Sequence, residues 1–416
     1  VVSGSINKNS LSCLFRGIFA PAPIEILLQW EARMPKKIVL LLDGTSNEIS
    51  TNRSNILRLY GTLSKSKEQV VYYDPGVGTF GAENTWSQTL RKGAELWGMA
   101  TGWGLDANVK EAYRFLMENY AVNANGHGDS IHIFGFSRGA YTARVLAGFL
   151  HAFGLIEPRN LNLLDYAYRA YKRIGDRPGE AGFAELRLHE RILSPHRPTI
   201  RFLGLFDTVA SVIESGRFGP RLRSHAFTAT NSSVQSVRHA LAIDERRTLL
   251  RPQLWPEAQV FRPKRFDETG TVAQDAREVW FSGVHGDIGG GYPEKEAALA
   301  KIPLHWMIEE SRAAGLSYKT GTIDRLVLGA SDEGHVAPNS MGRMHVSMTF
   351  GWKLLELLPR RKPEGSHRAS LRGWTIPLGE YRAMPAGARI HRSALRRYSE
   401  SGKRPPNVPQ EYVAEE

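Results

Sequence analysis

Cysteine is almost absent: Cys13 is the only one in 416 residues. No intrachain disulfide can form, and no cysteine-based metal site can be built. That fits folding in a reducing compartment. Uninterrupted apolar runs of about 18 residues are also missing, so no transmembrane helix is expected. The start has no signal-peptide core, because Phe15 to Leu28 is broken by Arg16, Pro21, Pro23 and Glu25. Neither an internal repeat nor a coiled-coil heptad is visible. Acid is in short supply: 42 Asp and Glu against 54 Lys and Arg leave a net charge of +12. That excess favours anionic partners without choosing among phospholipid surfaces, nucleic acid and acidic proteins. No nucleic-acid motif is recognisable, so no nucleic-acid partner is expected.

What is present describes a folded α/β chain. Hydrophobic residues at 42% suffice for a substantial core, and the length holds one large domain or two ordinary ones. Residues 1–33 read as an N-terminal extension, because Met34-Pro35-Lys36-Lys37 directly precedes the first convincing strand, Ile38 to Leu42. Ser54-Asn55 opens a helix to about Leu63, and Val70 to Tyr73 is a second strand. Asp106 heads a helix with Val109, Ala112, Tyr113, Leu116 and Met117 at helical spacing. Between them, Phe80 to Trp103 carries Trp86, Trp97 and Trp103 among glycines, a composition suited to covering an apolar site. Further strands are expected at Ser130–Phe136, Thr199–Phe206 and Glu278–Val284, with helices over 159–174 and 300–314. Residues 210–275 read as cap insertions with one helix near 232–242. Strands alternating with helices predict a mainly parallel sheet with helices on both faces. The alternation lapses after about 317.

The chemistry concentrates at strand ends. Ser130 to Phe136 runs directly into Gly135-Phe136-Ser137-Arg138-Gly139, which runs directly into a helical pattern from Ala140 to Leu150. Strand, sharp turn and helix are the context in which a serine is thrust out as a nucleophile. A serine hydroxyl is too weak alone, so an imidazole must take its proton and a carboxylate must orient the imidazole. Asp207 and His285 stand at two later strand ends, giving the order Ser, Asp, His of the α/β-hydrolase triad. Asp244 is the alternative acid, unless it pairs with a neighbouring arginine. Asp287 lies only two residues from His285, too close to fold back readily, and the pair is a poor metal site. The turn Asp43-Gly44-Thr45 follows the first core strand. Oxyanion donors are therefore expected from the amides of Gly44 or Thr45 together with Arg138, unless Asp43 merely binds its own turn. Neither cofactor nor metal is required. Replacing Asp207 with Asn should cut turnover and leave stability unchanged.

Five segments form an ordered set: Asp43-Gly44-Thr45-x-Asn47, Gly104-Leu105-x-x-Asn108-Val109-x-x-Ala112-Tyr113, Gly135 to Arg144, Phe206-Asp207-Thr208-Val209, and Trp280 to Gly290 around Val284-His285-x-Asp287. Together they resemble the catalytic domain of the type VI secretion lipase effectors, over roughly residues 36–316. The ending, Ile390-His391-Arg392-Ser393 with Pro405-Pro406-Asn407-Val408-Pro409, is similar to the family's own. The resemblance implies an α/β-hydrolase catalytic domain over 34–316 with a basic C-terminal extension, 317–416, packed on it. It implies phospholipase A chemistry through Ser137, Asp207 and His285, an acyl ester of a glycerophospholipid as substrate, and synthesis in the cytoplasm with export by a type VI system. The alternatives are an esterase or thioesterase on smaller acyl substrates, or a non-catalytic basic binding module. From Arg360 to Arg404 there are 12 Lys and Arg against 3 Glu, interleaved with Leu371, Trp374, Ile376, Leu378 and Tyr381. An anionic membrane surface is the partner this predicts, with Arg392, Arg396 and Arg397 facing it.

Overall fold

The computed structural model describes residues 35–44, 52–76, 104–123, 126–176, 180–209, 212–216, 219–223, 225–264, 268–330, 334–362 and 365–416. The N-terminal extension 1–33 and the tryptophan-bearing connection Phe80 to Trp103 lie outside them. One sheet of eight strands organises the chain: β1 (Lys37–Leu42), β2 (Gln69–Asp74), β3 (Ser130–Phe136), β4 (Ile200–Phe206), β5 (Val234–Ala242), β6 (Asp275–Phe281), β7 (Ala388–His391) and β8 (Tyr412–Glu415). Their order is β8-β7-β6-β5-β4-β3-β1-β2, and every neighbouring pair is parallel. The helices are α1 (Asn55–Thr62), α2 (Leu105–Asn119), α3 (Arg138–Phe153), α4 (Leu164–Asp176), α5 (Glu180–Leu193), α6 (His285–Gly289), α7 (Lys301–Ala313), α8 (Thr320–Leu326), α9 (Phe350–Leu355) and α10 (Arg392–Ser401). The architecture is α/β-hydrolase-like.

Parallel strands covered on both faces must be apolar throughout, and β1 shows how each side chain is used. Ile38, Leu40 and Leu42 enter one core with Val109, Tyr113 and Leu116 of α2 and Val145, Phe149 and Phe153 of α3. Val39 and Leu41 enter the opposite core with Ile56 and Leu59 of α1 and Leu304, Met307 and Ile308 of α7. The strand order reverses between β1 and β3. Crevices at the carboxyl ends of strands flanking such a point are where α/β sheets hold ligands.

Two expectations fail. Residues 232–242 are not a helix but β5, hydrogen-bonded between β4 and β6. A strand buried on both faces loses its period of two, so Val234, Val237, Leu241 and the intervening polar residues imitate a helical stripe. The expected boundary at 316 also puts part of the sheet outside the domain. The tail supplies β7 and β8, and Ile390, Ala394 and Val408 build a third core with Leu241, Ile243 and Trp280. These tail strands have four residues each, too few for alternation to register.

Candidate active site

The turn at Ser137 is tight because its glycines leave no alternative. A Cβ on Gly135 would run into the backbone of Gly139 and Ala140, and one on Gly139 into the carbonyls of Leu42 and Asp43. The start of α3 thereby packs directly on the ends of β3 and β1. Ser137, between strand and helix, takes φ 57° and ψ −119°. A non-glycine residue in that region costs on the order of 1–3 kcal/mol, so the surroundings must hold it. They do: Ser137 N–H donates to Phe206 O at 3.0 Å, and its carbonyl accepts from Tyr141 N at 3.3 Å.

The next strand end is strained in the same way. Asp207 has φ 43°, its N–H donates to Ala240 O at 2.8 Å, and its Oδ1 accepts from Ala242 N at 3.0 Å. His285 opens α6 just beyond β6, its N–H donating to Glu245 Oε2 at 3.1 Å. Its ring lies 4.8 Å from that of Phe136. The imidazole bridges the two strand ends, with Nδ1 2.5 Å from Asp207 Oδ2 and Nε2 2.8 Å from Ser137 Oγ. A carboxylate accepts only, so Nδ1 carries the proton and Nε2 presents its lone pair to the serine hydroxyl.

Sequence reasoning missed what holds the acid. The carboxylate of Asp207 is fully buried and gripped by both terminal nitrogens of Arg382, at 2.5 Å from Oδ1 and 2.9 Å from Oδ2. Arg382 also donates to the carbonyls of Ala242, at 3.2 Å, and Leu250, at 2.5 Å. Burial alone would raise the Asp207 pKa, but the charge of Arg382 and the hydrogen bond from His285 outweigh it and hold the group well below the usual carboxylate range. Asn407 ties this arginine's backbone into the fold, its Nδ2 donating to Arg382 O and Ile243 O, each at 3.1 Å. A second unforeseen residue is His239. Its Nε2 accepts the N–H of Thr208 at 3.1 Å, so the proton sits on Nδ1, facing Glu278 Oε1 at 2.8 Å. Burial lowers its pKa, which keeps the ring neutral and the turn after Asp207 fixed.

The other candidates fall elsewhere. Asp244 is not at the imidazole; its Oδ2 accepts Gly283 N–H at 2.7 Å. Nor does it take the arginine, which pairs instead with its neighbour: Arg247 Nε and a terminal nitrogen reach Glu245 at 2.9 and 2.8 Å. Asp287 turns away from the His285 ring, accepting from Val284 N at 3.0 Å and meeting His345 Nδ1 at 2.6 Å. The Gly44 N–H donates to Asp43 Oδ1 at 2.7 Å, so that amide is committed to its own turn. Thr45 lies outside the described residues. Arg138 is the first residue of α3, directly after Ser137.

Asp244 provides a test of the acid assignment. Burial raises its pKa to about 6. A carboxyl raised in the fold stabilises it below the unfolded value, near 4, and that contribution is lost as pH rises through about 6. Asp244→Asn keeps an acceptor for Gly283. It should melt higher than the parent at pH 7.5, by on the order of 2 kcal/mol, with the gap closing toward pH 4. Turnover should stay within about threefold, since the group touches no reacting atom. A catalytic loss exceeding that of Asp207→Asn would exchange the two roles.

The model of the T6SS phospholipase effector Tle1-like catalytic domain matches residues 36–310, well over half the chain. The chain belongs to this family. It is 33% identical over 248 residues to the uncharacterized protein YEL023C of Saccharomyces cerevisiae, covering 56% of this chain and 34% of that protein. Among solved structures, an uncharacterized protein from Pseudomonas aeruginosa is similar at 20% identity and TM-score 0.37, over 71% of this chain and 48% of that one. The Tle1 effector bound to the VgrG spike from the Type 6 secretion system is similar at 19% identity and TM-score 0.34, over 64% of this chain and 52% of that one. The chain spans about a third of the curated relative and about half of each solved one. Among the described residues of this Tle1-like chain, no helix is long and apolar enough to cross a membrane.

Proposed function

We propose that the chain is a serine hydrolase of carboxylic esters, cleaving acyl chains from glycerophospholipids in the manner of a phospholipase A. The observation that carries this is the linear relay from Asp207 through His285 to Ser137, with both bonds of the imidazole made at once. His285 Nε2 takes the hydroxyl proton as Ser137 Oγ attacks the ester carbonyl. The same nitrogen then returns the proton to the departing lysolipid oxygen, leaving an acyl-serine. Water repeats the sequence: His285 takes its proton, the hydroxyl adds to the acyl carbon, and Ser137 leaves reprotonated with a free fatty acid released. Asp207 stays ionised throughout and stabilises the imidazolium. The Arg138 amide, one residue after the nucleophile, and that of Thr45 are the proposed oxyanion donors.

Family membership supports lipid as the substrate class, and the tail belongs to the catalytic unit because it supplies two of the eight sheet strands and Arg382. Fatty-acid release from phosphatidylcholine and phosphatidylglycerol vesicles, measured beside hydrolysis of short-chain acyl esters, tests the reading. Turnover of short esters with none on phospholipid in vesicles or micelles would replace it by a small-ester hydrolase. No turnover and no fluorophosphonate labelling would leave a binding module.

A further inference from the structure

Exposed large apolar side chains are not scattered over this molecule. Among the described residues, eleven of the eighteen lie between 341 and 378. Helix α9 and the turn after it present Phe350, Leu354 and Leu358 outward at 77%, 51% and 56% exposure. Their spacing puts them on one stripe of a helix. A nearby antiparallel ribbon, Arg360–Arg361 with Trp374–Thr375, carries Leu371 and Trp374, 80% and 48% exposed. The segment is inside out. It buries its acid, Glu356, which accepts from Thr248 N at 2.9 Å and Thr248 Oγ at 2.6 Å. A fold that spends its polar contacts inward and turns its leucines outward is built to meet another apolar phase.

The charge selects which phase. Lys353, Arg361, Lys362 and Arg372 are exposed among these apolar side chains, and Glu356 is the only acid described between 341 and 378. The arginines expected from the sequence are occupied instead. Arg392 pairs with Glu416, Arg396 with Glu400 at 2.6 Å, and Arg397 donates to the carbonyls of Ser340 and Gly342 at 2.7 and 2.9 Å. The patch is rooted close to the candidate active site: Ser347 Oγ donates to Glu245 Oε1 at 3.0 Å, and Glu245 Oε2 takes the N–H of His285.

We propose that the outward face of residues 341–378 docks on an anionic phospholipid bilayer. The proposal rests on the phospholipase reading and adds how the enzyme meets a substrate that stays in its membrane. Apolar side chains enter the acyl boundary while the surrounding cations pair with headgroups, so binding needs both and weakens with salt.

The test is co-sedimentation of the whole chain with phosphatidylcholine vesicles, with and without phosphatidylglycerol. The parent should bind the anionic vesicles, and less so as salt rises. Phe350→Ser/Leu354→Ser/Leu358→Ser should lower vesicle affinity by about tenfold or more. Arg361→Gln/Lys362→Gln/Arg372→Gln should flatten the salt dependence. Circular dichroism and thermal melting confirm that both variants fold. Equal binding by parent and apolar variant overturns the proposal, as does a parent that ignores anionic vesicles. So does a parent that is a dimer by light scattering, if the apolar variant splits it without weakening vesicle binding. Binding that needs this face, without lipid hydrolysis by the parent, upholds docking and sinks the phospholipase reading instead.

Discussion

Ser137→Ala should abolish fluorophosphonate labelling and lower ester hydrolysis by about 10⁴-fold or more. Among the described residues, the Ser137 hydroxyl is the group that His285 Nε2 meets, at 2.8 Å, and it is the proposed nucleophile. Nothing else in the turn depends on it. The backbone bonds of Ser137, to Phe206 and Tyr141, survive the substitution, and alanine meets the same strain at positive φ. The melting temperature should therefore move by no more than about 2–4 °C. Hydrolysis within about tenfold of the parent would remove Ser137 from the nucleophile role.

Arg382→Met should damage stability and activity together. The substitution keeps much of the apolar stem and deletes the fork on Asp207, leaving a fully buried carboxylate with no cation paired to it, held by His285 Nδ1 and the Ala242 N–H. Breaking a buried ion pair from one side costs about 3–5 kcal/mol. The sign with pH follows from the depressed Asp207 pKa. The pair's contribution is present above the unfolded value near 4 and fades as pH falls below it, so parent and variant should converge in acid. Turnover should fall as well, because the carboxylate that orients the imidazole loses the fork that holds it. Asp207→Asn should cost about 10²–10⁴ in turnover. It also strands the guanidinium, so the unchanged stability expected from the sequence should not be found. The double variant Asp207→Asn/Arg382→Met should regain stability over Asp207→Asn alone. A melt of Asp207→Asn matching the parent would mean that the pair contributes no stability.

The legible parts of the fold are those where one local signal sufficed. β1 and β3 are short apolar runs ended by turn residues, as strands buried on both faces must be. Ser137, Asp207 and His285 could be proposed because each stands at such an ending, and the fold brings the three side chains together. β5 defeated periodicity because it has no solvent face, and it carries a buried histidine and arginine, His239 and Arg238. The Gly44 amide looked available because a turn amide's partner cannot be read from composition. Arg382 left no trace: it is one of 12 basic residues in a stretch without period, 175 positions from the carboxylate it holds. The sequence also counts arginines without showing which are paired: Arg392 and Arg396 are exposed but each meets a glutamate.

The origin of β7, β8 and Arg382 in the last part of the chain bears on when competence arises. Synthesis runs from the N-terminus, so Ser137 and His285 emerge well before the arginine that balances the acid between them. A nascent chain stopped short of Arg382 holds the reacting pair but must bury Asp207 without its guanidinium, and it lacks two strands on that flank of the sheet. A fragment that ends before Arg382 is therefore expected to fold and act less well than one that reaches the last strand of the sheet, Tyr412–Glu415.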